Sequence, residues 1–220
     1  MSFLIISGFV FVVINFPTLK QNLSFWYNNE YKAAPLDAEI NSLATVSPSS
    51  SNVSLPDVND NSLNLPIINV KAPVTWKVAN TPDKVADGLS KGLIQIQGTA
   101  LPGETGNVFI TGHSSNYPWA KGNYNNIFAL LNKIVVGDLA QIKYQNVNYL
   151  YKVKEIRVVE PDDISVLASK KESTLTLMTC TPVGTSLRRL IIVANQVYPD
   201  PNNNKPMQSQ SNDSNLPRVR

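Results

Sequence analysis

Two apolar runs joined by a polar loop decide the fold of the C-terminal half: Leu175-Thr-Leu-Met-Thr-Cys180 and Leu190-Ile-Ile-Val-Ala194. Alternation along the first run places Cys180 on the same face of a strand as Met178 and Thr176, opposite the leucines. If the two strands pair antiparallel through the loop, the end of the first lies beside the start of the second. Cys180 and Arg189 would then face the same small space.

Other short runs along the chain also predict β-strands. They are Ile67–Val70, Leu93–Gln97, Val108–Thr111, Ala140–Tyr144 and Val147–Val159. The residues Tyr144-Gln-Asn-Val147 lie between two alternating runs, as a tight hairpin loop would. Helices are predicted at residues 127–134 and near residues 162–169. Many short strands with few helices indicate an all-β fold, either a closed barrel or a sandwich.

The composition divides the chain into four segments. Residues 1–19 are hydrophobic, and residues 20–64 are rich in Asn, Ser and Pro, which predicts a disordered spacer. Residues 65–198 carry the predicted strands and form the expected folded domain. Residues 199–220 are polar again, and we expect a disordered tail.

The N-terminal segment has no charged residue before Lys20. Its apolar run is shorter than the ~20 residues of a spanning helix, and it has neither the basic start nor the cleavage site of a signal peptide. We expect an uncleaved single-pass membrane anchor whose span extends beyond the given start. A buried core helix is the alternative.

The residue counts exclude several kinds of site. The 220 residues include one cysteine and one histidine, so no intramolecular disulfide can form and no metal site with two Cys or His ligands is expected. The net charge of +3 forms no long basic run, which argues against a nucleic-acid partner. We expect no cofactor and no metal.

Cys180, His113 and Arg189 are the candidate catalytic residues. A free cysteine is commonly a small buried hydrophobe, but an unpaired thiol at a strand end can be a nucleophile. His113 follows a strand through Gly112 and could be a solvated loop residue or a general acid and base. Arg188 and Arg189 could be a solvated pair; we select Arg189 because it abuts the last strand, where a cation can steady an oxyanion.

Three sequence blocks resemble those of the sortase family. Thr176-Leu-Met-Thr-Cys180 is similar to the family's TLxTC signature, and Arg189-Leu-Ile-Ile-Val193 resembles its Arg-plus-apolar final strand. The block from Gly98 to His113 is similar to the family's GTA-x-PGE-x-GNV-x-I-x-GH sequence. The blocks fall in the family's order within residues 65–198, and they do not assign a sortase class.

The resemblance implies a closed barrel of about eight strands and a cysteine transpeptidase on the outer side of the cell membrane. Cys180 would attack an LPxTG-like C-terminal sorting motif of a surface protein and form a thioester. His113 would be the acid and base, Arg189 would position the substrate and the oxyanion, and Thr179 would help to line the groove. An amine of the cell-wall or pilin type would be the acceptor.

Two alternatives remain at this stage. The chain could be a cysteine peptidase of the same fold. Water would then hydrolyse the thioester, since no suitable amine would be bound. It could also be a surface binding module in which the cysteine and the histidine are incidental. Ligation products and the reactivity of the thiol distinguish these possibilities.

Overall fold

The computed structural model describes residues 58–117, 119–168 and 171–207, together with isolated positions between residues 6 and 27. Residues 28–57 and 208–220, which include most of the predicted spacer and tail, lie outside the described residues, as do many positions of the predicted anchor. Within the described part of the chain, no helix is both long and apolar enough to cross a membrane.

The strands are short and follow one another closely. Their bounds are β1 Ser62–Leu65, β2 Val70–Val78, β3 Leu93–Ile96, β4 Glu104–Thr105, β5 Asn107–Thr111, β6 Leu139–Tyr144, β7 Val147–Val159, β8 Thr174–Thr181, β9 Arg188–Tyr198 and β10 Lys205–Pro206. The α-helix α1 spans Pro82–Lys91. Short 3-10 helices span Pro66–Ile68, Leu131–Lys133, Ile164–Leu167 and Pro201–Asn203.

Eight of the described strands close into a barrel in the order β1-β2-β3-β5-β8-β9-β7-β6, with β6 pairing back to β1. Most neighbours are antiparallel, but β2 pairs with β3 and β5 with β8 in parallel. The predicted all-β closed barrel is confirmed. The predicted hairpin is also confirmed: Gln145 and Asn146 both have positive φ, 51° and 61°, as a two-residue type I′ turn requires.

Two apolar clusters cover the two faces of the sheet. One fills the barrel and includes Leu175, Leu177 and Ile192. The other lies on the outer face, where Val85 and Leu89 of α1 pack against residues such as Phe109 and Ile191. The outer face is therefore covered by apolar side chains as well, from α1 and from Val166 and Leu167 of the 3-10 helix Ile164–Leu167.

Helix α1 was not among the predicted helices, although its first residues carry a start signal. Thr81 precedes the helix, Pro82 occupies its first turn and Asp83 follows, which suits the helix dipole. Val85 and Leu89 are four residues apart and face the sheet. Gly88 lies between them, and a Cβ there would meet Ile94 Cγ2 at 2.6 Å, so the glycine lets the helix approach β3 closely.

The helix predicted at residues 127–134 is not an α-helix. The backbone N–H groups of Ala129, Leu131 and Lys133 donate to the carbonyl three residues earlier, which is the pattern of successive turns and a 3-10 helix. The apolar side chains that suggested a helix instead fill the barrel, where Phe128 and Leu131 are fully buried. Near residues 162–169 the structure likewise has a 3-10 helix, Ile164–Leu167.

The folded part of the chain extends past the predicted boundary at residue 198. Lys205 and Pro206 pair with Glu104 and Thr105 as a short parallel sheet. Asn204 Nδ2 donates to Ser173 Oγ at 2.8 Å and to Gln196 Oε1 at 2.9 Å. These polar contacts attach residues 199–207 to the barrel, which composition alone could not indicate because the segment is hydrophilic.

Gly92 joins α1 to β3, and a substitution there tests how closely the chain packs at this junction. It has a positive φ of 155°, and a Cβ there would meet the Pro73 carbonyl oxygen at 2.5 Å. Gly98 is the matched control, since it has a φ of 90° and a Cβ added there would have no atom within 4 Å. We expect Gly92→Ala to lower the free energy of unfolding by about 2–4 kcal/mol, combining backbone strain and overpacking. Gly98→Ala should lose only the strain, about 1–2 kcal/mol. Urea denaturation measures both, and equal losses would contradict the close contact at Pro73.

Candidate active site

Cys180 and Arg189 are direct partners across β8 and β9. The register pairs Thr179 with Leu190, Cys180 with Arg189 and Thr181 with Arg188. Directly opposed residues of an antiparallel pair lie on the same face, with Cβ atoms about 4.5–5.5 Å apart. The predicted juxtaposition of Cys180 and Arg189 is therefore confirmed, and both side chains are half-buried.

The face on which they lie follows from their neighbours. Leu177 and Ile192 point into the barrel, whereas Met178 and Ile191 belong to the outer cluster beneath α1. Since sides alternate along a strand, Cys180 continues the outer face after Met178. The thiol thus lies just beyond the apolar layer, where the covered sheet gives way to solvent.

His113 reaches the same face from β5, the parallel neighbour of β8. The register pairs Thr111 with Met178, so a continuation by two residues brings His113 level with Cys180. Phe109 is in the outer cluster, and alternation keeps Thr111 and His113 on that side. His113 and Arg189 therefore approach Cys180 from the strands on either side of it.

Hydrogen bonds hold the ends of β5 and β8 together at this point. The Thr179 hydroxyl donates to the Gly112 carbonyl at 2.8 Å, and the Gly112 N–H donates to the Met178 carbonyl at 3.3 Å. The Thr111 hydroxyl donates to the same Met178 carbonyl at 3.1 Å. Thr179 is buried, with 3% of its surface exposed, so its hydroxyl ties the strands together beneath the site and does not line an open groove.

Gly112 has no room for a side chain. A Cβ there would meet Phe128 Cδ2 at 2.9 Å and would also contact Leu93 Cδ2. The His113 carbonyl accepts a hydrogen bond from the Phe128 N–H at 2.9 Å. The backbone of His113 is consequently fixed on both sides, by β8 through Gly112 and by the turn that carries Phe128.

The two arginines have different surroundings. Arg188 is exposed and forms an ion pair with Glu160 at 3.1 Å, on the side away from Cys180. Arg189 is half-buried, and its Nη1 donates to the carbonyls of Ser186 at 3.0 Å and Arg188 at 3.2 Å. A guanidinium carries five N–H donors, and these bonds use Nη1, so donors on Nη2 and Nε can serve a substrate oxygen.

Burial lowers the pKa of the His113 imidazole below its ordinary value of 6.5. Loss of solvation disfavours the charged form, and the apolar surroundings of the strand end are the cause. The neutral imidazole is therefore favoured in the free protein near neutral pH. A neutral imidazole can accept a proton, and it can return that proton to a leaving group.

A cleft of about 570 Å³ borders the histidine. Its walls are α1 and the loop that follows His113, and the residues that line it include Val85, Leu89, Ser90, His113, Asn116 and Lys121. Tyr117 and Trp119 of the same loop are exposed and stacked, with ring centroids 5.1 Å apart. His113 is thus accessible from a side that neither Cys180 nor Arg189 lines among the described residues.

Sequence reasoning did not find two parts of the site. Helix α1 forms one wall of the cleft, and its Thr-Pro-Asp start was the available signal. The Ser115 hydroxyl accepts a hydrogen bond from the Gly184 N–H at 3.0 Å and so joins the loop after His113 to the loop after Cys180. No local pattern indicates a contact between residues that are 69 positions apart in the chain.

Comparison with known proteins agrees with the geometry. A family model described as the sortase domain matches residues 63–197. Sortase D of Bacillus subtilis (strain 168) is 27% identical over 139 residues, which are 61% of this chain and 62% of that protein. The chain thus spans less than two thirds of this relative.

Solved sortase structures have a similar fold. The crystal structure of sortase C1 from Streptococcus agalactiae is 31% identical with a TM-score of 0.52, over 62% of this chain and 66% of that one. A Clostridium perfringens sortase C structure that contains the C-terminal cell wall sorting motif is 25% identical with a TM-score of 0.53, over 72% and 85% of the two chains.

The matched region contains the closed barrel except its terminal residues Ser62 and Tyr198, and it contains all three candidate residues, which lie at or just beyond the ends of β5, β8 and β9. On the extent of that match and on the barrel itself, the chain belongs to the sortase family.

Proposed function

We propose that this chain is a sortase transpeptidase in which Cys180, His113 and Arg189 carry the reaction. The observation that supports this most strongly is the register: Cys180 is opposite Arg189 of β9, and His113 follows the end of β5, on the other side of β8, by two residues. A thiol, an imidazole and a guanidinium on one face are a nucleophile, an acid and base, and an oxyanion donor. Cys180 and Arg189 lie on paired strands and His113 follows a third, which supports this assignment.

The first half-reaction forms a thioester. The neutral His113 imidazole takes the proton of the Cys180 thiol. The resulting thiolate attacks the carbonyl carbon of the scissile peptide bond, and the electron pair of that carbonyl moves to its oxygen. Arg189 donates hydrogen bonds to the resulting oxyanion. When the carbonyl re-forms, the C–N bond breaks, and the His113 imidazolium gives its proton to the departing amine.

The second half-reaction resolves the thioester. An incoming amine attacks the thioester carbonyl while the neutral His113 imidazole removes a proton from it. Collapse of the second oxyanion expels the Cys180 thiolate, and a new peptide bond remains. The cleft beside His113 offers the amine a route to the imidazole that does not displace the acyl group on Cys180.

The family match supports the substrates that we propose. The structure of the C. perfringens relative with a cell wall sorting motif supports an LPxTG-like C-terminal motif of a surface protein as the acyl donor here. We propose an amine of the cell-wall or pilin type as the acceptor. The apolar residues 1–19 support a single-pass membrane anchor, with the catalytic domain outside the cytoplasm.

Peptide ligation tests the proposed reaction. We expect the full chain to convert an LPxTG-like peptide plus an added amine into a ligated product, which mass spectrometry detects. Cys180→Ala should abolish both cleavage and ligation, because it removes the nucleophile. Cleavage without ligation for every amine tried would identify a hydrolase. No cleavage, together with an inert Cys180 thiol, would instead support a binding module.

The two arginines provide a matched pair of variants. Arg189→Ala should lower kcat/KM by about 10²–10³-fold, the usual effect of removing an oxyanion donor. Arg188→Ala should change it by less than about threefold, because an exposed ion pair of the Arg188–Glu160 kind stabilises little. Thermal unfolding shows whether either variant has lost its fold. Equal effects in two folded variants would contradict the assignment of Arg189.

His113 can be titrated directly, because the sequence has one histidine. Burial lowers its pKa in the folded state, so the NMR midpoint of its imidazole should lie below 6.5 and return to about 6.5 in urea. The unfolded chain then binds this proton more readily than the folded chain. Stability should accordingly fall as the pH drops from 6.5 through the folded pKa, and His113→Gln should lose that part of the pH dependence. A folded midpoint at or above 6.5 would contradict the burial of the imidazole.

A further inference from the structure

The Ser115 side chain joins the loop after His113 to the loop between β8 and β9. The Gly184 N–H donates to the Ser115 hydroxyl at 3.0 Å. Gly184 lies four residues after Cys180, and Ser115 lies two residues after His113. Gly184 has a φ of 88°, a conformation that suits glycine, so the N–H is presented at the apex of a turn. The contact spans the gap between the two loops that flank the thiol.

The same turn holds the guanidinium of Arg189. Thr185 closes the turn, since its N–H and its hydroxyl both donate to the Pro182 carbonyl, at 3.0 and 2.8 Å. The carbonyl of the next residue, Ser186, accepts a hydrogen bond from Arg189 Nη1 at 3.0 Å. The position of the turn therefore determines where the Ser186 carbonyl lies, and with it the direction of the guanidinium.

The other end of the contact is attached to the rigid part of the barrel. The carbonyl of His113 is bound by Phe128, and Ser114 has 1% of its surface exposed. Ser115 follows directly, so its hydroxyl projects from a fixed backbone. By contrast, Gly184, Thr185, Ser186 and Leu187 are exposed, and without Ser115 the turn would depend largely on its internal bonds.

We infer that Ser115 is a positioning residue for the reaction: its hydroxyl holds the turn at residues 182–187 in the conformation that directs Arg189 toward the carbonyl attacked by Cys180. This rests on the proposed function, because it needs Arg189 to act on that carbonyl. Ser115 acts through Arg189 and does not touch the reacting atoms. Its contribution is consequently realised when the oxyanion forms, so its removal lowers kcat with little effect on substrate binding.

Kinetics of a small set of variants test the inference. Ser115→Ala should lower kcat about two- to tenfold with KM little changed, the range that one neutral hydrogen bond provides. Ser115→Thr keeps the hydroxyl and should restore most of the rate. Ser165→Ala changes an exposed serine remote from the site, in the 3-10 helix Ile164–Leu167, and should behave like the unmodified chain. Unchanged kcat in Ser115→Ala would overturn the inference.

A double-mutant cycle distinguishes positioning through Arg189 from a general structural role. If Ser115 acts through the guanidinium, Ser115→Ala should have almost no further effect in a chain that already carries Arg189→Ala. A merely structural role would lower the rate by the same factor in both backgrounds. The latter result would overturn the inference while leaving the proposed function intact.

Hydrogen exchange of the Gly184 amide provides a measurement that needs no turnover. The amide should be protected in the full chain, exchange faster in Ser115→Ala, and regain protection in Ser115→Thr. Equal exchange in all three proteins would show that the contact does not hold the turn, and would overturn the inference. If the chain cleaves no peptide but the protection follows this pattern, the proposed function fails and the hold of Ser115 on the turn stands.

Discussion

The pairing of β8 with a strand on each side is the constraint on which the rest of the site depends. On one side, the antiparallel register with β9 sets Cys180 against Arg189. On the other, the parallel register with β5 ends one residue before Gly112, and the Thr179 hydroxyl binds the Gly112 carbonyl at 2.8 Å. A shift of one residue in either register would turn one of the candidate side chains to the opposite face. The buried threonine beneath the thiol thus belongs to the alignment of the site.

The second requirement is a sheet that is covered on both faces up to the strand ends. Residues such as Leu177 fill the barrel, and on the outer face Val85 and Leu89 of α1, Leu167 and Met178 pack against the second apolar cluster. Because the apolar layer stops there, His113 is partly desolvated while Cys180 and Arg189 remain half-exposed. The same packing that stabilises the barrel therefore sets the protonation of the imidazole and leaves the thiol accessible to a peptide.

The loops determine side-chain directions that the strand register leaves open. Strand register defines where Cα atoms lie, but the direction of a long side chain such as Arg189 depends on the carbonyls of Ser186 and Arg188. Those carbonyls belong to an exposed turn, and a hydroxyl from the loop after His113 binds that turn. The three candidate residues are thereby connected through backbone as well as through the sheet. Such support is what a site needs when its side chains must keep a fixed geometry.

Local patterns in the sequence determined several strands, the side chains on each of their faces and one hairpin turn. Alternation placed Cys180 and the leucines of β8 on opposite faces, predicted β7 at its observed bounds of Val147–Val159, and identified the hairpin at Gln145 and Asn146. These features depend on neighbours in the chain, because side-chain direction repeats every two residues in a strand and turns depend on adjacent backbone angles. The likeness of three short blocks to the sortase family then indicated a closed barrel.

Tertiary structure alone decided the remaining features. Strands β1 and β6 close the barrel although they are far apart in the chain. The apolar residues around Phe128 form turns, because their side chains can fill the barrel interior without a regular helix. Glu160 forms an ion pair with Arg188, so Arg189 remains available to the site. The Ser115 hydroxyl accepts a hydrogen bond from the Gly184 N–H. No periodic pattern in the sequence predicts which of these residues come into contact. These contacts form only when the barrel has closed and brought the strand ends together.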